Sequence, residues 1–409
     1  MSRLLHIRTL LLASLLTGGL AATAQAQTTP LTLTGYVYDA ETDEPLVSVN
    51  VFLSGTTQGA ATDTTGFFRI EGVRQQTFRL VASMIGYDLV EKTIDRATFQ
   101  PRDLVFCLPP GLVDLETIEI TADRSDVTSK EWQRNLQRFE ALLFSTTPFS
   151  ADCEIINPWV MDFAFDDQTD VLQAAAQRPL VIENRALGYR LTLHALKLIG
   201  RYEQLRWEAS PFFEPLTGGS NRDQRRWRRN RKEAYEGSTR HFLTALTALE
   251  QATEKARIEG KRLRKDPIDE AGFKIYQVSE PGHISYDHWV GQDDLLEMVR
   301  PHADNETWTL SFIEPLLIEY HRAREAISYA RYMVENGFRA RNGRNAWGDI
   351  PVQEMQRSWM VLLQPQGVAI DERGLEQDLY AVKYFGYWSW ERIAELLPYD
   401  YSLEEEKAP

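Results

Sequence analysis

The sequence predicts a multidomain chain: an all-β sandwich followed by an α+β domain with an antiparallel sheet and helices. Three observations carry this. Between Gly35 and Tyr87 apolar and polar residues alternate in short runs, with Val37, Val49, Val51, Leu53, Phe68 and Ile70 in the apolar phase. A period of two marks half-buried strands. Turn formers separate the runs: Asp43-Glu44-Pro45, Ser54-Gly55 and Asp63-Thr64-Thr65-Gly66. Beyond residue 128 helical periods appear between further alternating runs.

Each predicted strand of the first part follows from this punctuation. A Gly closing an Asp-led turn supplies the positive φ of a tight connection. Pro45 fixes φ where the chain re-enters a strand. Phe78, Leu80 and Ala82 alternate again before Ile85-Gly86-Tyr87. Short strands at this spacing, joined by Gly-rich turns, make a small antiparallel sandwich.

The pieces Gly35-Tyr36-Val37-Tyr38-Asp39, Pro45-Leu46, Val49-Asn50-Val51, Gly55-Thr56, Thr62-Asp63, Gly66-Phe67-Phe68 and Gly86-Tyr87 resemble the carboxypeptidase-D regulatory-like domain. That domain is found in envelope proteins of Bacteroidota-type bacteria. The resemblance runs from Leu31 to Pro109 and implies a transthyretin- or immunoglobulin-like accessory sandwich without catalytic residues. It implies the N-terminal extension of a TonB-dependent receptor without the barrel, because the remainder of the chain carries long helical patterns and many charges. Large receptor barrels need about 220 residues in strands alone.

The N-terminus reads as a signal peptide over residues 1–26. Arg3 and Arg8 form a positive region, the run from Leu10 is apolar, and Ala24-Gln25-Ala26 is a small-residue cleavage site. The apolar run is too short to span a bilayer. No later segment approaches the length of a transmembrane helix. The expected location is the periplasm or the outer membrane.

The formal charge is −14, and loss of Arg3 and Arg8 takes it to −16. An acidic exported chain is a poor nucleic-acid binder. Its two cysteines, Cys107 and Cys153, either pair in an oxidising compartment or stay as buried thiols.

The boundaries predicted are the sandwich over 29–110, a linker or edge strand over 111–127, the α+β domain over 128–400 and an acidic tail over 401–409. Leu115 to Ala122 alternates and is similar to the extended segment that follows this domain in TonB-dependent receptors. Without a barrel it reads as a linker or an edge strand.

In the second part, Thr128 and Glu131 fit a capping box, and Trp132, Leu136, Phe139 and Leu143 follow at helical spacing. Tyr189, Leu191, Leu193 and Ala195 then alternate with Arg190, Thr192 and His194, which places His194 on a wet face. Ser220, with Asp223 three residues on, caps a long helix whose stripe is Trp227, Ala234, Tyr235, Phe242, Leu246 and Leu249. Gly272 to Tyr276, Trp308 to Phe312, Leu316 to Tyr320 and Met360 to Leu363 read as strands. Tyr387 to Leu397 reads as a short final helix. Trp227 to Leu243, with Asn157-Pro158 and Asn184 to Tyr189, resembles the C-terminal part of short envelope proteins carrying the same regulatory-like domain.

The long helix also carries the one candidate site. Residues 222–232 hold seven basic side chains and one acid. Arg225, Arg228, Arg229 and Lys232 lie at helical spacing on the faces left by the buried stripe, as a possible anion-docking set. The partners such a face suits are an envelope glycan, a lipid headgroup or a protein. The alternative is a solvated face paired with acidic surface of the same chain.

No residue set names a reaction. No His is followed by Glu three residues on, and H-E-x-x-H, G-x-S-x-G, C-x-x-C and a phosphate loop are absent. His283, Asp287, His288, Asp293 and Asp294 are the densest His and Asp region, in loops marked by Pro281-Gly282 and Gly291. Asp166-Asp167 is a carboxylate pair that suits glycoside hydrolysis only at the right separation. The expectation is a non-enzymatic envelope protein that needs no cofactor or metal and binds or scaffolds another envelope component. The alternative is a glycan or peptide hydrolase with its site in the second domain. The export reading predicts that intact-mass analysis of the envelope fraction finds a chain beginning at Gln27; a retained Met1 there would overturn it.

Overall fold

A computed structural model describes residues 30–100, 102, 104–111, 127–201, 204–303, 307–335, 353–378 and 380–403. The expected signal peptide over 1–26, the alternating run at 115–122 and residues 404–409 of the expected tail lie outside these residues.

The first body is a seven-stranded sandwich. Its strands are β1 (Leu31–Asp39), β2 (Asn50–Leu53), β3 (Gly59–Ala61), β4 (Phe67–Val73), β5 (Thr77–Ser83), β6 (Val90–Asp95) and β7 (Leu104–Leu108). One sheet runs β4-β1-β7 and the other β3-β2-β5-β6. The strands β1 and β7 are parallel and the other pairs antiparallel. The alternating residues of the sequence close a core of Leu33, Val37, Val51, Leu53, Phe68, Leu80 and Phe106. Asp63 Oδ1 accepts the amides of Thr65 (2.8 Å) and Phe67 (3.1 Å), and Gly66 takes φ 75° to close that turn. Tyr87 donates to Asp39 at 2.7 Å, which ties the Gly86-Tyr87 turn back to the end of β1.

The second body is a six-stranded antiparallel sheet: β8 (Cys153–Ile155), β9 (Met161–Asp166), β10 (Val171–Ala176), β11 (Leu180–Asn184), β12 (Tyr189–Arg201) and β13 (Gln204–Pro215). Helix α1 (Lys130–Phe144) packs Trp132, Phe139 and Leu143 into its core. The cap of α1 is Ser129, one residue later than the sequence suggests, with its hydroxyl accepting from the Trp132 amide at 3.1 Å.

The third body packs helices around two smaller sheets. One contains β14 (Phe273–Gln277), β17 (Leu316–Arg324), β18 (Met355–Leu362) and β20 (Val382–Gly386), and the other β15 (Val299–Pro301), β16 (Thr307–Leu310) and β19 (Val368–Asp371). Helix α2 (Asn221–Tyr235) packs back on the second body, and the helices of the third body are α3 (Thr239–Ile258), α4 (Pro267–Ala271), α5 (Gln292–Met298), α6 (Ile327–Glu335) and α7 (Tyr387–Trp390). Phe242, Leu246 and Leu249 of α3 fill the core with Phe273, Trp308 and Tyr320.

Two helix lengths change. The long helix is two helices. Gly237 takes φ 89°, and Ser238 caps a new start by accepting from the His241 amide at 3.2 Å. A Gly-Ser step offers a left-handed residue followed by an N-cap, and together these end one helix and begin another. The final helix likewise stops at Trp390, and a 3-10 turn covers Ile393–Glu395.

His194 is buried rather than solvated, at 4% exposure. The register of β12 against β13 shifts between His194 and Lys197, and Ala195 takes φ 51°. Such a bulge changes which face the following residues point to. Ala195 is exposed, while Leu196 and Leu198 point inward. The face that carries His194 is then covered by the sandwich. Its Nδ1 lies 2.9 Å from Ser83 Oγ, and its ring meets Phe52 at 4.7 Å.

The sandwich docks through the β2–β3 turn. The Gly55 amide donates to Pro211 O (2.6 Å), the Phe213 amide to Thr56 O (3.0 Å) and the Tyr399 amide to Gly55 O (2.7 Å). Asp400 accepts from the Thr57 amide at 3.1 Å and from its hydroxyl. Gly55 sits at φ +81°, and a Cβ there would lie 2.3 Å from the Tyr399 ring, so only glycine fits.

Arg240 holds the segment that the turn docks against. Its guanidinium donates to the carbonyls of Pro398 (2.8 Å), Tyr399 (2.8 Å) and Tyr401 (2.6 Å), and more weakly to Arg373 (3.3 Å). Replacing Arg240 by Met leaves those carbonyls unpaired in the interior, and unpaired buried polar groups cost about 1–3 kcal/mol each. Arg240→Met is expected to destabilise the protein by about 3 kcal/mol. Hydrogen exchange should then speed up at residues 54–58 and 398–401 while the sandwich core stays protected. Unchanged exchange at both segments would refute the role given to Arg240.

Candidate functional site

Helix α2 lies across the turn that joins β11 to β12, and the composition of its buried face follows from that turn. The carbonyls of residues 185–188 point at the helix. Trp227 Nε1 donates to Arg185 O (2.9 Å), Asn230 Nδ2 to Ala186 O (2.9 Å) and Arg231 Nε to Leu187 O (2.7 Å). Arg226 adds a bond to Arg185 O at 3.1 Å and approaches Asp152 and Asp223. Arg231 also stacks over the Tyr189 ring at 4.2 Å. The Trp227 indole lies on the backbone of Gly188 and Gly219, where a Cβ would come within 2.3 and 2.5 Å of it. At the start of α2, Ser220 and Asp223 form the expected capping box.

The seven cations therefore divide by role. Arg226 and Arg231 are anchors of the fold. Arg222, Arg225, Arg228, Arg229 and Lys232 are exposed. Arg225, Arg228, Arg229 and Lys232 stand at i, i+3, i+4 and i+7, so they form one outward stripe about 10 Å long. Lys232 has Glu236 at 3.6 Å, and Arg229 reaches the Asn230 side-chain oxygen at 3.4 Å. Among the described residues Arg225 and Arg228 have no acidic partner. Like charges at i, i+3 and i+4 destabilise a helix by a few tenths of a kcal/mol per pair. The stripe is thus unfavourable for the isolated helix, whereas Arg226 and Arg231 are explained by their bonds.

A second feature is an open groove of about 890 Å³ in the third body. Asp287, His288 and Asp294 of the His and Asp region line it, with Trp289, Glu297 and Ile313. No three His, Cys, Asp or Glu side chains converge on a metal position among the described residues. Asp294 instead accepts the Gly291 amide at 3.0 Å at the start of α5. His283 contributes its carbonyl, which accepts from Trp359 Nε1 at 2.9 Å. The wall of the groove is held from behind by a buried carboxylate. Glu319 accepts from Arg357 (2.8 Å), Tyr286 (2.9 Å) and His321 (3.1 Å), and it lies below its ordinary range because these contacts outweigh its burial. Sequence reasoning missed this network because Tyr286, Glu319 and Arg357 come from three separate segments.

Other candidates resolve as structural. Asp166 serves its own turn, accepting from the Gln168 amide (2.9 Å) and the Thr169 hydroxyl (2.6 Å). Cys107 and Cys153 are both free, the first exposed on β7 and the second half-buried on β8. Burial, followed by the nearby Glu395 and Asp152, pushes the Cys153 thiol up to about 12, which leaves it un-ionised.

The most perturbed acids lie in the C-terminal part and do not line the groove. Burial pushes Glu376 up to about 7 and Glu395 up to about 8, and raises Glu391 well above the carboxylate range. Both Glu395 oxygens are shut off from solvent without a well-aligned hydrogen bond. Thr147 and nearby amides lie close enough only to soften the shift.

The sandwich belongs to a recognised class of accessory module. Residues 33–120 match the family model of the CarboxypepD_reg-like domain, so the N-terminal body is a carboxypeptidase regulatory-like domain. No curated protein matches the chain. No helix among the described residues is long and apolar enough to cross a membrane.

The raised carboxyls make a signed prediction. A folded-state value above 4.5 means that the folded protein holds a proton the unfolded chain has released, so stability falls as pH rises. His194 and His241, lowered to about 4 by burial, act in the opposite sense, but only between there and 6.5. Between pH 6.5 and 8 the two histidines no longer oppose the acids. The melting temperature is expected to fall across that window, and Glu395→Gln to flatten the fall. An equally steep fall in the variant would show that Glu395 is ionised in the folded state.

Proposed function

We propose that the chain is a non-enzymatic, exported protein of the cell envelope, placed in the periplasm or at the outer membrane. In this reading the regulatory-like sandwich is an accessory module, and the α2 face binds or scaffolds an anionic envelope component. The observation that carries the reading is the outward stripe of Arg225, Arg228, Arg229 and Lys232 on a helix whose remaining core-side cations are already used by the fold. Five exposed cations stand together on a chain of net charge −14. A row of guanidinium groups recognises carboxylate or phosphate oxygens by paired hydrogen bonds, which an acidic glycan, a lipid headgroup or an acidic protein surface supplies. Docking of the sandwich onto β13 and residues 398–401 supports a scaffold that presents α2 from a fixed position.

Sedimentation with vesicles containing anionic lipid, and with an acidic polysaccharide, tests this. Binding to at least one probe is expected. It should weaken steeply as added salt shortens the screening length from about 10 Å at 0.1 M to about 3 Å at 1 M. The variant with Arg225, Arg228, Arg229 and Lys232 all replaced by Gln should lose that binding with little change in melting temperature, because none of the four supports the core. Binding that survives the replacements would refute docking through α2. Unfolding of the variant would show that these charges serve the fold.

A further inference from the structure

The groove of the third body has features that the α2 reading does not use. Its edge is a strand-like stretch, residues 288–290, laid on β14. The Gln277 amide donates to His288 O (2.9 Å) and the Val290 amide to Ile275 O (3.0 Å). Trp289 therefore faces Tyr276 as a non-hydrogen-bonded pair. In that arrangement the N–H and C=O of Trp289 point away from the sheet. No described residue takes up either group. A sheet edge left open in this way is a template for an added strand.

The side chains around that edge are equally specific. The Trp289 indole is 64% exposed and Ile313 94% exposed, and both line the groove. The indole does not hang free. It lies over Gly291, where a Cβ would come within 3.1 Å of the ring. The loop behind it is fastened by the bonds from Tyr286 to Glu319 and from Trp359 to the His283 carbonyl. An exposed indole on a fastened backbone is a preorganised surface, so little ordering is lost when something stacks on it.

The charges decide what stacks. Asp287, Asp294 and Glu297 line the groove against one cation, Arg300. Asp294 is engaged at the start of α5, while Asp287 is held only by Ser285 (2.8 Å). Glu297 has no partner among the described residues. An anionic ligand is repelled. A cation over the indole gains the attraction of the ring face and lies next to carboxylates.

We propose that this groove binds an extended cationic peptide segment. The segment adds its main chain to the Trp289 edge and lays a Lys or Arg side chain over the indole, toward Asp287 and Glu297. The groove volume of about 890 Å³ suits a short stretch of chain rather than a folded domain.

Isothermal titration of the full chain tests this with three probes: the end-blocked peptide Gly-Lys-Gly-Lys-Gly, its counterpart with norleucine in place of lysine, and a neutral oligosaccharide. The lysine peptide is expected to bind in preference to the other two, and more weakly as salt rises. Trp289→Ala is expected to weaken it by at least about tenfold, as is the pair Asp287→Asn with Glu297→Gln. The acid replacements sit on exposed positions and keep the test valid if loss of the indole disturbs the loop. Three outcomes overturn the proposal: no binding of the lysine peptide at about 1 mM, equal binding of the norleucine peptide, or tighter binding of the oligosaccharide. Peptide binding that ignores all three substitutions also overturns it, by placing the peptide elsewhere. The α2 cations are untouched by these variants, so the result is independent of vesicle or polysaccharide binding.

Discussion

The guanidinium of Arg240 is the point at which the three bodies become one molecule. It stands at the start of α3 and gathers three carbonyls of residues 398–401. That segment has no regular pairing of its own with the sheets. Held by Arg240, it presents the Tyr399 amide and the Asp400 carboxylate to the β2–β3 turn of the sandwich. A cation that satisfies several main-chain acceptors at once can order a segment lacking secondary structure, because each bond is charge-assisted. The sandwich, the β12–β13 sheet and the third body meet there.

The same economy appears at α2, where one helix does two jobs with one residue type. On the inner side arginine and asparagine complete the hydrogen bonds of a turn whose carbonyls would otherwise be stranded. On the outer side arginine projects from the surface. Composition alone cannot separate these roles, because both faces read as basic. Position relative to Trp227, Asn230 and Ala234 separates them, and these three are the buried residues of the helix.

The legible parts of the sequence were those governed by local rules. Strand alternation, the Asp63–Gly66 turn, the Ser220–Asp223 cap and the regulatory-like signature all depend on residues within a few positions of one another. The helix break at Gly237-Ser238 was local too, but its apolar residues continue on a helical period across the gap and mask it. His194 differs for another reason: it sits on the outer face that the alternation gives it, but the sandwich covers that face through Ser83 and Phe52. The bulge at Ala195 breaks the phase only beyond it, turning Ala195 outward and Leu196 and Leu198 inward. The groove was legible only in part. Its His and Asp residues stand out in the sequence as the densest such region, whereas its character comes from Trp289, Glu297 and Ile313, brought together by segments remote from one another. The contacts at Gly55 had no sequence signal, since a Ser-Gly turn looks the same whether it meets solvent or Tyr399.

That last contact bears on the order in which the protein is assembled. Thr57 and Asp400 are partners across a separation of 343 residues. A chain made from its N-terminus completes the local pairings of the sandwich early, long before its docking partners at 398–401 exist. The face around Phe52 finds its cover in His194 and Phe212 once the second body is made, while the β2–β3 turn still waits for Tyr399 and Asp400. The contacts with 398–401 then close on an interface that β13 has already formed with the sandwich, which makes them a late step. Gly55, with no side chain to obstruct Tyr399, keeps that late step a simple approach of two preformed surfaces.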